Sequence, residues 1–298
     1  MSTVQPRLEV VVGVDGSPAS TTALEVAARE ARATGRALRA VHAWRTPTAL
    51  VGGMPGIGYS YAYAGMLDAH LGAETAKHQL DDELAGVVQS AGGQGQLQVI
   101  PEVREGDAGV SLVEASTLAD LLVLGSRRHG ALGSAIIGSA TNYVLHRAHC
   151  PVLIVPAQPG PPQPWARVLV GVDGSECSRH ALTWAADRAR AHGCPLVAVH
   201  AWLFGTGAPG VDPQIEVESW LRAECESVLG PQARGLDLLV VQDYAAAALL
   251  AACEPEDLLV VGTQSGSLLH DVVVGSVAMQ CAHHARGSVV VVRGRQSP

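Results

Sequence analysis

The chain has 298 residues, 48% of them apolar, 16% charged and only 4% aromatic, with a net charge of −8. This composition describes a well-buried globular protein whose cores are filled by Ala, Val and Leu; it excludes a disordered chain and supplies no basic surface for nucleic acid. The first residues lack the apolar run of a secretion signal. The longest wholly apolar stretch, 245–253, is too short to cross a bilayer, and the six cysteines are scattered without a C-x-x-C pair. The expectation is therefore a cytoplasmic protein with free thiols.

In chain order the pattern predicts a strand over 8–14, a helix over 17–34, a strand over 37–43 and a helix over 68–90. It continues with a strand over 96–103, a helix over 108–118, a strand over 120–125, a helix over 134–148 and a strand over 151–156. The runs Val10–Val12, Leu121–Leu124 and Leu258–Val261 are continuously apolar, as strands buried on both faces should be. Ser17 followed by Pro18 reads as a helix cap with proline at the first helical position.

The series then begins again. "VVGVDGSPASTTALEVAAREARATGRALRAVHAW" starts at Val11, and "LVGVDGSECSRHALTWAADRARAHGCPLVAVHAW" starts at Leu169, at an offset of 158 without a gap. Later, "ADLLVLGS" aligns with "EDLLVVGT" and "IIGSA" with "VVGSV" at an offset of 137, so the first copy is longer by 21 residues. The extra length falls in or around "VGGMPGIGYSYAYAG". Between the copies "PAQPGPPQPWA" favours an extended, semi-rigid spacer. The expected organisation is a domain over 1–156, a linker over 157–165 and a domain over 166–298. Each domain is expected to be α/β, a doubly wound, mostly parallel, open sheet of five strands (Rossmann-like) in tandem repeat, with ligands bound beyond the carboxyl ends of the strands.

Two stretches per copy reach that edge. One is Gly13-Val14-Asp15-Gly16-Ser17, mirrored by Gly171-Val172-Asp173-Gly174-Ser175; the other is "GSRRHGALGSAIIGS" from Gly125, mirrored by "GTQSGSLLHDVVVGS" from Gly262. A glycine leaving a strand lets backbone approach a phosphate. A glycine and a serine at a helix start offer N–H donors, a hydroxyl and the positive end of the helix dipole. A strand-end Asp accepts from a ribose hydroxyl or helps to hold Mg²⁺. The plainer reading of Asp-Gly-Ser is a turn and a helix cap.

The whole chain resembles a tandem universal stress protein, a family of adenine nucleotide alpha hydrolase-like folds. The duplicated VGVDGS, VHAW and terminal GS elements carry the likeness. The resemblance implies ribose or metal contacts from Asp15 and Asp173, adenine contacts from Val41 and Val199, and phosphate loops opened by Gly125 and Gly262. It implies that Gly138-Ser139 and Gly275-Ser276 close those loops. Its ATP-binding members show Gly-x2-Gly-x9-Gly-(Ser/Thr) in the loop; here the second glycine is replaced by Arg128 in one copy and Ser265 in the other. A side chain there is expected to disturb a left-handed backbone at a cost of about 1 kcal/mol, while Arg127 and Arg128 bring guanidinium groups that pair with phosphate.

Other candidates have structural readings beside functional ones. His42 and His200 end the second strands, as ordinary strand-end residues or as pocket groups. His146 and His149 lack a third metal ligand, so no structural metal is expected, and His129 is a loop histidine or a phosphate donor. The cysteines read as small buried apolar residues. Tyr59, Tyr61 and Tyr63 form a lid, a partner surface or a plain insert. The resemblance implies an ATP-binding stress-response regulator with little or no turnover, taking ATP with Mg²⁺ or another adenine nucleotide, acting as a dimer of tandem chains on an unidentified regulatory partner, with no membrane or nucleic-acid role. The alternatives are a nucleotide-independent interaction scaffold of the same fold and, less favoured, an ATP hydrolase. The two copies are expected to pack on each other through their last strands.

Overall fold

A computed structural model describes residues 9–45, 72–87, 97–128, 135–158, 160–203, 212–263 and 274–294. The Tyr/Gly-rich insert, His129 and Ser265 lie outside them. The first copy contains β1 (Glu9–Val14), α1 (Pro18–Thr34), β2 (Ala37–Trp44), a second helix α2 over 72–87, β3 (Val99–Glu105), α3 (Ala108–Ala115), β4 (Ala119–Arg128), a short β5 (Ala135–Ile136), α4 (Ser139–Arg147) and β6 (Val152–Pro156). The second contains β7 (Val168–Gly171), α5 (Glu176–His192), β8 (Leu196–Trp202), α6 (Pro213–Leu229), β9 (Asp237–Gln242), α7 (Ala245–Ala252), β10 (Leu258–Thr263), α8 (Ser276–His284) and β11 (Ser288–Arg293).

The strands run in the order β3-β2-β1-β4-β6-β11-β10-β7-β8-β9, with β5 beside β4. Within each copy every neighbouring pair on this path is parallel. The two expected five-stranded sheets are thus halves of one continuous sheet, because β6 and β11 pair antiparallel, with Val289 opposite Ile154 and Val291 opposite Val152. Both strands are wholly apolar through these pairs. Left unpaired, either would present an aggregation-prone edge.

Both faces of the sheet are covered, which is why the central strands are continuously apolar. Val10, Val12 and Val14 of β1 join Leu24, Leu80, Leu182 and Leu221 in one buried layer, which holds α1, α2, α5 and α6. Val11 turns the other way, into a layer with Leu112, Leu145, Leu249 and Cys281 from α3, α4, α7 and α8. Leu24, Leu80, Leu182 and Leu221 are wholly buried, each contributing on the order of 1.5–3 kcal/mol. Four of the cysteines are buried in these layers and all six are free thiols. Burial pushes the Cys150 and Cys281 thiols up to about 12, so they pack as apolar groups.

Charge also crosses the seam. Glu30 of α1 is fully buried and meets two groups of the second copy: His192 Nε2 donates to its Oε1, and Arg188 Nε lies 3.7 Å from its Oε2. Arg188 also donates to Asp120 at 2.5 Å. The repeat offset of 158 carries Glu30 onto Arg188, so equivalent positions meet near the pseudo-twofold axis carrying opposite charges. Pairing two first copies through this face would oppose two glutamates, and pairing two second copies would oppose two arginines. The linker is drawn onto the same place. Trp165 is buried with its ring 4.7 Å from that of His192, Arg29 stacks over it at 5.3 Å, and the Arg29 guanidinium donates to the Pro162 and Gln163 carbonyls.

Removing one partner of a buried charge pair strands the other. Glu30→Ala and Arg188→Ala are each expected to cost about 3–5 kcal/mol of unfolding free energy in urea titration. The double variant should cost less than the sum, with a coupling of about 1–3 kcal/mol; strictly additive costs would show that the two residues do not interact.

Candidate functional site

Strand order reverses between β1 and β4 in the first copy and between β7 and β10 in the second, so the crevice beyond their carboxyl ends is the place where such sheets take ligands. Asp15 and Asp173 stand there, one residue past Val14 and Val172. Each folds back on its own turn: Ser17 N–H donates to Asp15 Oδ1 at 3.0 Å, and Ser175 N–H to Asp173 Oδ1 at 2.9 Å. Gly16 and Gly174 take φ of 77° and 81°, a conformation that side chains resist. Ser17 and Ser175 then cap α1 and α5, accepting from Ser20 N and Ser178 N at 3.2 Å. The turn-and-cap reading is therefore realised, and it also orients an acidic group at the rim. Burial works to raise the Asp173 carboxyl, but hydrogen bonds from Ser175 and Ser178 outweigh it and hold the group below the ordinary aspartate range, so it is an anion at neutral pH.

The second element of the rim is a pair of helix N-termini. Gly138 and Gly275 are the N-caps of α4 and α8, and neither helix start is bonded by a capping side chain. Ser139 and Ser276, the first helical residues, are exposed. Gly275 N–H donates to Thr263 Oγ1 at 3.1 Å, tying the start of α8 to the end of β10. A helix start with solvent-facing N–H groups and no side-chain cap is an anion-binding feature.

Other expected site residues lie differently. Gly125 sits inside β4, paired with Val155, and a Cβ there would collide with the backbone carbonyl of Ala19 in α1. At Gly262 it would lie 2.6 Å from the Cys177 carbonyl oxygen. Both glycines are required by the close approach of helix to strand, a reason independent of phosphate. Arg128 extends β4, opposite Ala135 of β5, so its backbone is extended and the expected strain of a left-handed conformation does not arise there. For the same reason the helix expected from 134 begins only at Ser139. Val41 and Val199 are buried, in one layer with Leu112 and Leu249, so their side chains face the core.

His200 Nδ1 donates to the Val172 carbonyl at 2.7 Å, whereas His42 is buried and its Nδ1 has no hydrogen-bond partner among the described residues. His146 Nδ1 is bonded to the Asn142 carbonyl within its own helix. Among the described residues no three His, Cys, Asp or Glu side chains gather to hold a metal ion, and no helix is long and apolar enough to cross a membrane.

Comparison with known proteins decides the family. The profile of the Universal stress protein family matches twice, over residues 7–156 and 164–293. The chain belongs to the universal stress protein family. A universal stress protein of Mycobacterium bovis is 32% identical over 320 aligned residues, covering 100% of this chain and 99% of the relative. One from Mycobacterium tuberculosis strain H37Rv is 33% identical, covering 98% and 99%. Among solved structures, a universal stress protein from Archaeoglobus fulgidus DSM 4304 superposes with a TM-score of 0.68 at 18% identity, covering 96% of this chain and 98% of that one. Tandem architecture is thus shared over the full length of these relatives.

Within this tandem universal stress protein the two rims differ in a way the sequence reading missed. In α2 and α6 the buried residues Leu80 and Leu221 correspond, as do Leu84 and Cys225. That register pairs Glu83 with Glu224 and Gln79 with Trp220. Glu224 is held by Arg179, whose Nε donates at 2.6 Å. The first copy has Thr21 where the second has Arg179, and among the described residues no side chain pairs with the buried Glu83 carboxylate oxygens, whose polar neighbour is the Gly16 amide. Burial, and then the charge of Asp15, push the Glu83 carboxyl above its usual range against a weak pull from the Gly16 amide. Loops of unequal length precede these helices and hide their correspondence in the sequence.

An acid whose folded pKa is raised keeps its proton longer in the native state, so stability falls as pH rises through the usual glutamate range to the raised value. Glu83→Gln is therefore expected to raise the melting temperature at pH 7, with the difference from the unaltered chain vanishing below about pH 4. An equal or lower melting temperature at pH 7 would show that Glu83 has a partner.

Proposed function

We propose that the chain is a nucleotide-binding stress-response regulator, each copy holding an adenine nucleotide with Mg²⁺ at its sheet rim, with little or no turnover. The observation that carries the reading is the pairing, in both copies, of a helix start without a side-chain cap (Gly138-Ser139, Gly275-Ser276) with a turn-anchored acid (Asp15, Asp173) across the switch point of one sheet. The helix start suits phosphate and the acid suits ribose hydroxyls. Mg²⁺ is commonly bound through one carboxylate and substrate phosphates, so one aspartate per rim is a sufficient protein contribution. Binding would bias assembly and, through it, the choice of a protein partner. The β6–β11 seam already occupies the strands through which the copies pair, so two chains would associate through another surface.

One observation favours the scaffold reading: helix packing alone accounts for Gly125 and Gly262. Calorimetric titration of the chain with ATP and Mg²⁺ separates the two. Saturable binding is expected, weakened roughly tenfold or more by Asp15→Ala and by Asp173→Ala at their own rims, as loss of a charge-assisted hydrogen bond requires. No saturable binding up to millimolar ATP would leave the scaffold reading standing.

A further inference from the structure

Trp220 is an aromatic residue that the fold itself does not call for. It stands on α6 beside the Asp173 turn: a Cβ built on Gly174 would lie 3.0 Å from its indole Cζ2. Its ring is 4.6 Å from that of His200 at 52°, and His200 is itself fixed by its bond to the Val172 carbonyl. The indole is thus backed by a ring and a backbone turn, yet 39% of the residue is exposed. The first copy places Gln79 at the corresponding position, and the space against its Gly16 is taken by Glu83, 3.6 Å from the Cβ built there. Copy two shows the same change around its rim. The Arg45–Asp107 ion pair of the first copy is replaced by Leu203 and Tyr244, both exposed. Asp107 caps α3, accepting from Gly109 N at 2.8 Å, whereas Tyr244 makes no capping bond. An apolar group has displaced a stabilising one here.

We infer that the two rims are not equivalent, and that Trp220, braced by His200, is the residue that stacks on the base of a purine nucleotide in the second copy. This rests on the nucleotide reading and adds a residue and a preference to it. A ribose held by the Asp173 carboxylate places its base one sugar ring away, where the indole offers an anchored flat face; aromatic stacking favours the larger purine surface. Among the described residues the first copy has Gln79 where this ring stands, and it sets the Glu83 carboxyl beside Asp15.

The test uses the full chain in an Asp15→Ala background, which leaves the second rim to report. ATP, CTP and inorganic tripolyphosphate are titrated, each with Mg²⁺. Trp220→Ala is expected to weaken ATP binding about 10- to 100-fold, to weaken CTP less and to leave tripolyphosphate unchanged, while Trp220→Phe restores most of the ATP affinity. ATP binding that Trp220→Ala leaves untouched overturns this inference alone. Equal losses of ATP and tripolyphosphate also overturn it, since they would mark Trp220 as merely structural. No ATP binding by the unaltered chain removes the nucleotide reading and this inference together.

Discussion

The architecture depends on one seam. Three residue pairs of β6 and β11 join two five-stranded halves into one sheet, and the buried Glu30–Arg188 encounter beside them makes the junction selective. Backbone pairing alone would accept either copy as a partner, because both last strands are runs of valine, leucine and isoleucine. Charge at the pseudo-twofold position removes that ambiguity: only the unlike pairing brings opposite signs together in a buried place where solvent screens them little. His192, Asp120 and the Trp165 linker contact extend the same junction, tying chain connectivity to the pairing.

An asymmetric junction permits asymmetric rims. In a dimer of identical chains any substitution appears twice, at both sites. Here each copy has diverged alone. The first keeps polar and charged groups around Asp15, including the Glu83 carboxyl, which no described side chain pairs, whereas the second has paired Glu224 with Arg179 and turned Trp220, Leu203 and Tyr244 outward. What both retain is the backbone design of the rim: the Asp-Gly-Ser turn and the glycine-started helix. On the proposed reading this shared geometry would hold phosphate and sugar in both copies, and the divergent side chains lie where the rest of a ligand or a partner would be read.

Much of this was legible in the residues. The gapless repeat revealed two units, continuous apolar runs located the buried strands, and Ser17-Pro18 located a helix start to within one residue. The family resemblance implied pairing through the last strands, which are apolar enough to form the junction. The rest depended on distances between remote parts of the chain. That Gly125 also admits the close approach of α1 does not follow from the chain alone, and Arg128 reads as a loop residue until β4 is seen to continue through it. Glu30 and Arg188 are ordinary helix charges in sequence, since their meeting follows only from how the copies face each other. Trp220 and Glu83 were hidden because the loops before their helices differ in length.

Differential scanning calorimetry of the intact chain tests the central claim most directly. If the seam makes one sheet of two copies, heating should give a single transition whose calorimetric and van't Hoff enthalpies agree. Two resolved transitions, each carrying about half of the enthalpy, would mean that the copies melt independently and that the seam does not unite them.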